Sequence, residues 1–174
     1  NLNYFAFFDL PVSFQVDASA LRRVYLENSR KYHPDFHTQA SDGDQADMLD
    51  LSTLNNEAYK TLLDPDRRMR YILEINGLLG DGVDLPELPP DFLMDMMEIN
   101  EALMELEFDF DETRLQAAMQ QVQDIEKSLL HAIQPVLDGW EPTQGAAPLK
   151  AVRDHYLKKR YLLRIKENLS KFAP

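Results

Sequence analysis

The sequence contains no cysteine. Disulfides, zinc ribbons, thiolate nucleophiles and cysteine-held iron–sulfur clusters are thereby excluded, and a reducing compartment fits. Cations are scarce as well. Against 30 Asp and Glu there are 18 Lys and Arg, a formal net charge of −12, so a general affinity for nucleic acid, which needs clustered Lys and Arg, is not expected. No apolar run approaches the roughly 18 residues that a membrane helix requires. The opening NLNYFAFFDLP carries neither a basic leader nor a small-residue cleavage site, so no secretion signal is expected. Both G-x-x-x-x-G-K-[ST] and G-x-G-x-x-G are missing, which removes the usual phosphate cradles. No serine sits in a nucleophile-elbow context, and the many carboxylates read as solvated helix surface. Nothing in this inventory signals catalysis, and no cofactor or resident metal is expected.

What is present fits one ordinary domain or two small ones, since the chain has 174 residues and 44% hydrophobic content. Its charge is uneven. Residues 87–138 hold 13 Asp and Glu against 2 Lys and Arg, whereas residues 141–174 hold 8 Lys and Arg against 3 Asp and Glu. Opposite signs of this kind point to helices that attract one another within a bundle, with biased solvated surface as the bland alternative.

The hydrophobic pattern is helical throughout, with no convincing strand. YFAFFDL reads as a short helix stopped by Pro11. Asp17 is placed to cap a helix reaching about Tyr32, with Leu21, Val24, Tyr25 and Tyr32 on one side and Asn28 interrupting the stripe. Residues 34–44 read as a polar loop. Leu51, Leu54, Ala58 and Leu62 mark a third helix. Asp64 and Pro65 then form a cap and first-position pair for a fourth, with Met69, Ile72 and Leu73 facing inward. NGLLGDGVDLPELPP is rich in glycine and proline and reads as a linker. Beyond it, a helix from Asp91 to about Glu107 carries Phe92, Met96, Ile99, Leu103 and Leu106 on one stripe. Leu93, Met97 and Met104 form a second stripe beside Met94, either an adaptable binding surface or part of a thick core. Leu115, Ala118, Val122, Ile125, Leu129, Ala132 and Val136 make a heptad-like seam on the next helix, where Pro135 is expected to kink or end the last turn. After the loop DGWEPTQGAAP, Leu162, Ile165, Leu169 and Phe172 mark the last helix. The expected fold is all-α: an N-terminal unit over residues 1–76, a linker over 77–90, and an up-down three-helix bundle over 91–174.

His33, Pro34 and Asp35 raise the one chemical question. With His37 they form H-x-D-x-H, and two histidines with a carboxylate are a known ligand set for non-haem iron. Alternate residues converge best from a strand, however, and this segment leaves a helix through a proline, because a residue before proline is pushed out of the helical region. His131 and His155 stand alone on helices and supply no second cluster. A plain helix ending, with Arg30 and Lys31 favoured by the helix dipole, is the other reading.

The stretch LRRVYLENSRKYHPDF, followed by a loop and AYKTLLDPDRRMRY, resembles the J-domain of DnaJ-type co-chaperones. That family has a helical hairpin with H-P-D at its tip, then A-Y-x-x-L and D-P-x-x-R-x-x-Y. The matching positions are Ala58, Tyr59, Leu62, Asp64, Pro65, Arg68 and Tyr71. The resemblance implies a docking site for a DnaK-type ATPase chaperone at His33, Pro34 and Asp35, with Arg22, Arg23, Tyr25, Arg30 and Lys31 on the preceding helix. Docking would stimulate hydrolysis in the partner, and the J-protein would do no chemistry itself. Basic residues there stand out in an acidic chain and would steer it to an acidic partner. The chain departs from the pattern at Leu26 and Glu27, in a stretch that is usually basic, which implies weaker or more selective docking. Asn28 replaces a usual apolar core residue.

No glycine–phenylalanine segment and no zinc-binding cysteines follow. PPDFLMDMMEINEALMELE and the three helices are instead similar to HscB, the J-protein family of iron–sulfur cluster biogenesis, and the likeness covers essentially the whole chain. It implies an HscA-like chaperone and a cluster-assembly scaffold protein as partners. The scaffold would be held through Leu93, Met94, Met97, Glu98, Glu101, Glu105 and Tyr161. The lack of a transit peptide points to the bacterial cytoplasm, with the mitochondrial matrix as the place for a processed chain. A J-domain protein with a different client, or a small metal enzyme built on His33, Asp35 and His37, remain the alternatives.

Overall fold

The computed structural model describes residues 3–173. They form seven α-helices and two single 3₁₀ turns, Pro34–Phe36 and Pro142–Gln144, without a strand among them: α1 Tyr4–Phe7, α2 Ala18–Tyr32, α3 Asp42–Leu63, α4 Pro65–Ile75, α5 Pro90–Phe108, α6 Glu112–Gly139 and α7 Ala146–Ser170. The chain divides into two compact units, one of Asn1–Gly77 with Trp140–Gln144, the other of Leu78–Gly139 with Gly145–Pro174. No helix among the described residues is long and apolar enough to cross a membrane.

In the first unit the helix ends follow local chemistry. The Asp17 carboxylate accepts the Ser19 and Ala20 N–H groups at 2.9 and 3.3 Å, satisfying donors that a helix start leaves open. Asp64 does the same for Asp66 and Arg67, with Pro65 at the first position of α4. α3 starts earlier than the sequence suggests. Asp42, Gly43 and Asp44 lie inside it, because the Ser41 hydroxyl accepts the Asp44 N–H at 3.2 Å and two aspartates meet the positive end of the helix. α2 and α3 pack as a hairpin, and α1 and α4 lie on α3. Phe5, Phe8, Leu21, Ala58, Leu62, Met69, Ile72 and Leu73 are buried among them. Tyr71 pins α1 to α4, its hydroxyl accepting the Tyr4 N–H at 2.8 Å with the two rings stacked at 4.5 Å. Burial raises the Tyr71 phenol above the usual tyrosine value, outweighing that hydrogen bond. Phe14 is covered by Trp140, ring centroids 5.0 Å apart.

In the second unit α5 packs on both α6 and α7, which also pack on each other. Phe92, Met96, Ile99, Leu103 and Leu106 are all buried, against Leu115, Ala118 and Val122 of α6 and Leu162, Ile165 and Leu169 of α7. The seam of α6 departs from expectation in its second half: Ala132 is exposed and Val136 only half-buried, while Ile133 and Leu137 are buried. A helix with 3.6 residues per turn drifts by about 20° per heptad, so its inner face advances by one position over this length. α6 also runs through Pro135 to Gly139, and α7 begins at Ala146, ahead of Pro148. Opposite charges meet between Arg114 and Glu105 at 3.2 Å and between Lys166 and Glu126 at 3.5 Å.

Candidate functional site

α2 ends at His33, whose extended backbone conformation starts the Pro34–Phe36 turn. The turn is closed by its own bonds. Phe36 and His37 N–H groups donate to the His33 and Pro34 carbonyls at 3.1 and 3.0 Å. The His33 Nδ1 accepts the Asp35 N–H at 3.2 Å, which leaves Nε2–H as the ring's outward donor. Asp35 lies 3.6 Å from that ring nitrogen, with its side chain 85% exposed. A carboxylate is thus carried at the hairpin tip on a turn with a closed backbone, open to a partner.

His37 does not join a ligand set. Its Nε2 donates to the Lys31 carbonyl at 2.7 Å, covering an acceptor that the end of α2 would otherwise leave open. Among the described residues no three of His, Asp and Glu stand where they could share an ion. H-x-D-x-H is therefore a helix stop with an exposed acid, and the metal alternative loses its geometry. Gln45 fastens the following loop to α3, its amide donating to the Thr38 and Ala40 carbonyls.

Arg22, Arg23, Arg30 and Lys31 are exposed along α2. At 100° per residue Arg22, Leu26 and Arg30 align, so the basic face has an apolar centre. Tyr25 lies elsewhere. Its ring stacks on Tyr59 at 4.1 Å and its hydroxyl donates to Asn56 at 3.0 Å, which makes it part of the hairpin seam. Asn28 finds its reason in the same seam. Its amide donates to the buried Asn55 at 3.2 Å, and Asn55 donates to the Tyr25 carbonyl and the Ser29 hydroxyl at 3.2 and 3.3 Å. A polar pair of this kind, with Asn55 buried and Asn28 half-buried, fixes the register of α2 on α3, and so the position of the tip. Replacing Asn55 alone by Leu strands the Asn28 amide and is expected to cost about 1–3 kcal/mol. Adding Asn28→Leu should recover most of that loss in urea unfolding of the full chain, and a second loss of equal size would show that the pair does not act together.

On α5 the second stripe is surface. Leu93 is 37% exposed, Met94 67%, Met97 60% and Met104 68%, which removes the thick-core alternative. Glu98, Glu101 and Glu105 are exposed beside it. Tyr161 is half-buried, with its ring edge-on to Phe92 at 6.2 Å and its hydroxyl accepting from Asn100 at 3.5 Å. It packs against the core and is only partly covered. Lys158 and Arg164 lie over the Phe92 and Tyr161 rings at 5.8 and 5.7 Å. The sequence reading missed Phe108, which is 96% exposed at the end of α5, and Phe110, which is 52% exposed just beyond.

Residues 88–170 match the family described as the HSCB C-terminal oligomerisation domain. A co-chaperone protein HscB homolog of Paraburkholderia phymatum is 33% identical over 138 residues, 79% of this chain and 79% of that one. The human iron–sulfur cluster co-chaperone protein HscB is 38% identical over 127 residues, which are 72% of this chain and 51% of the human one. In three dimensions HscB from Vibrio cholerae superposes with a TM-score of 0.67 at 28% identity, covering 97% of this chain and 96% of that one. The human HscB crystal structure superposes with a TM-score of 0.70 at 29% identity, covering 97% and 81%.

Proposed function

The chain belongs to the HscB family of iron–sulfur cluster co-chaperones, and on that premise we propose that it stimulates ATP hydrolysis by an HscA-like chaperone of DnaK type while delivering the cluster scaffold protein to it. The observation that carries this reading is the exposed Asp35 carboxylate on a turn already closed by its own hydrogen bonds. A preorganised turn loses little conformational freedom on docking, so the interaction energy goes into the contact. Arg22, Arg23, Arg30 and Lys31 would steer the approach of an acidic partner. His33, Pro34 and Asp35 would then make the specific contact, and Tyr25 would hold α2 in place from behind. Bond breaking happens in the partner's active site.

The second unit would hold the scaffold through Leu93, Met94, Met97, Glu98, Glu101, Glu105 and Tyr161. Flexible, polarizable methionine side chains adapt to a partner's contours. The iron–sulfur cluster is cargo carried by the scaffold, since this chain has no cysteine to bind one. The division into an N-terminal docking unit over 1–76, a linker over 77–90 and a scaffold-binding unit over 91–174 belongs to the same proposal.

Single-turnover ATP hydrolysis by the cognate DnaK-type chaperone, with and without this protein and the scaffold, is the direct test. Hydrolysis should accelerate with the protein and further with the scaffold present. An unchanged rate would overturn the reading. Leu93→Ala combined with Met97→Ala should weaken scaffold binding roughly 10- to 100-fold, as expected for two apolar contacts of about 1 kcal/mol or more each. Calorimetric titration reads that loss, and undiminished binding would remove the scaffold from this face.

A further inference from the structure

We infer that the scaffold-binding surface runs the whole length of α5, ending on Met104 and Phe108, and that its occupant is a basic, apolar-faced segment of the scaffold. This rests on the scaffold-binding reading and extends it to residues that the family resemblance did not assign. At 100° per residue Leu93, Met97, Met104 and Phe108 fall within an arc of about 60°, over an axial length of about 22 Å. Asn100 lies about 20° outside that arc, between it and the core face, and donates to the Tyr161 hydroxyl, so that tyrosine borders the stripe near its middle. The buried residues Phe92, Met96, Ile99, Leu103 and Leu106 occupy a separate arc. The stripe is therefore surplus to the core.

Exposure increases along it, from 37% at Leu93 to 96% at Phe108. A phenylalanine ring left in water favours whatever partner covers it, through the apolar area removed from water. Phe108 and Met104 border a shallow recess whose other walls are Glu105, Asp109 and Arg114. The Arg114–Glu105 ion pair braces that wall at 3.2 Å. Glu98, Glu101 and Glu105 form a row along one edge, and residues 91–111 hold eight Asp and Glu with no Lys or Arg.

That charge selects the occupant. A second copy laid symmetrically on the stripe would oppose one acidic helix with another, a like-charge contact that disfavours association. A scaffold segment with apolar side chains on one face and Lys or Arg at its edge gains both burial and attraction. The length of the stripe matches about four turns of such a helix.

Phe108→Ala and Met104→Ala in the full-length protein, titrated with the scaffold in a calorimeter at low and high salt, test the inference. Each is expected to weaken binding about 5- to 20-fold, with an unchanged melting temperature, while Phe108→Tyr retains binding. Glu101→Gln with Glu105→Gln should flatten the salt dependence. Normal binding by Phe108→Ala alongside weak binding by Leu93→Ala/Met97→Ala would overturn the extension and leave the shorter surface standing. Normal binding by all of these variants would overturn the scaffold reading itself. Normal scaffold binding with loss of self-association in sedimentation would make the occupant a second copy and overturn the inference.

Discussion

Asp35→Asn is expected to abolish at least about nine-tenths of the ATPase stimulation while leaving the melting temperature within about 1 °C, because the residue faces outward and, under the proposed function, would serve docking alone. The local bonds explain the separation. The backbone N–H of Asp35 closes onto His33 Nδ1, and asparagine keeps that N–H. The side chain is 85% exposed, so its substitution leaves no buried group without a partner. What disappears is the charge. If a cation on the partner pairs with it in a desolvated interface, truncating one member costs about 2–5 kcal/mol, or more than tenfold in affinity. The loss should persist at high salt. Removing Arg22 or Arg23 should instead slow association and make stimulation less salt-sensitive, as long-range steering does. Stimulation measured across chaperone concentrations separates the two effects. Full stimulation by Asp35→Asn would remove this turn from the docking site.

Much of this architecture was written locally. Asp17, Asp64 and Pro65 bring their partners within two or three residues, so their capping roles can be read without the fold. The H-P-D turn is local in the same sense, and its position at a helix end follows from proline chemistry. Asp42-Gly43-Asp44 misled for the opposite reason: its turn-forming composition hides a start that the Ser41 hydroxyl secures. On α6 a strict heptad pattern gave way to the true helical period, which returns Ile133 to the face of Leu115 after five turns. Asn28 looked like a flaw in an apolar stripe because its partner, Asn55, is 27 residues away. Trp140 over Phe14 is likewise a tertiary contact that no local pattern announces. On α5 the sequence offers a longer apolar stripe for the core and a shorter one that is either binding surface or part of a thick core. Only the placement of α6 and α7 decides whether the shorter one is covered too, and it leaves Met97 and Met104 outside.

Arg68→Met is expected to lower the stability of the first unit by roughly 3–5 kcal/mol, since two charge-assisted hydrogen bonds are lost and the acceptors remain buried. Arg68 is 8% exposed. Its Nε donates to the Phe14 carbonyl at 3.0 Å and its Nη1 to the Leu62 carbonyl at 2.6 Å. Leu62 lies in the last turn of α3, where carbonyls have no helical partner. Phe14 belongs to the segment that leads into α2. One guanidinium thus ties the end of α3, the approach to α2 and its own helix α4 together. Burial pulls its pKa below the usual arginine value and Asp64 partly restores it, but arginine remains charged near neutrality. The desolvation cost is therefore present in the folded state and is offset by the two carbonyls. Methionine keeps much of the apolar stem and removes the desolvation cost, yet leaves both acceptors in a site that water does not reach. For a unit of this size such a loss corresponds to a fall of more than about 10 °C in Tm. The melting of the first unit should move while that of the α5–α7 core stays in place, and ATPase stimulation should fall at temperatures where the first unit has opened. A Tm change below about 2 °C would show that solvent reaches both carbonyls and that Arg68 is not what holds the hairpin to α4.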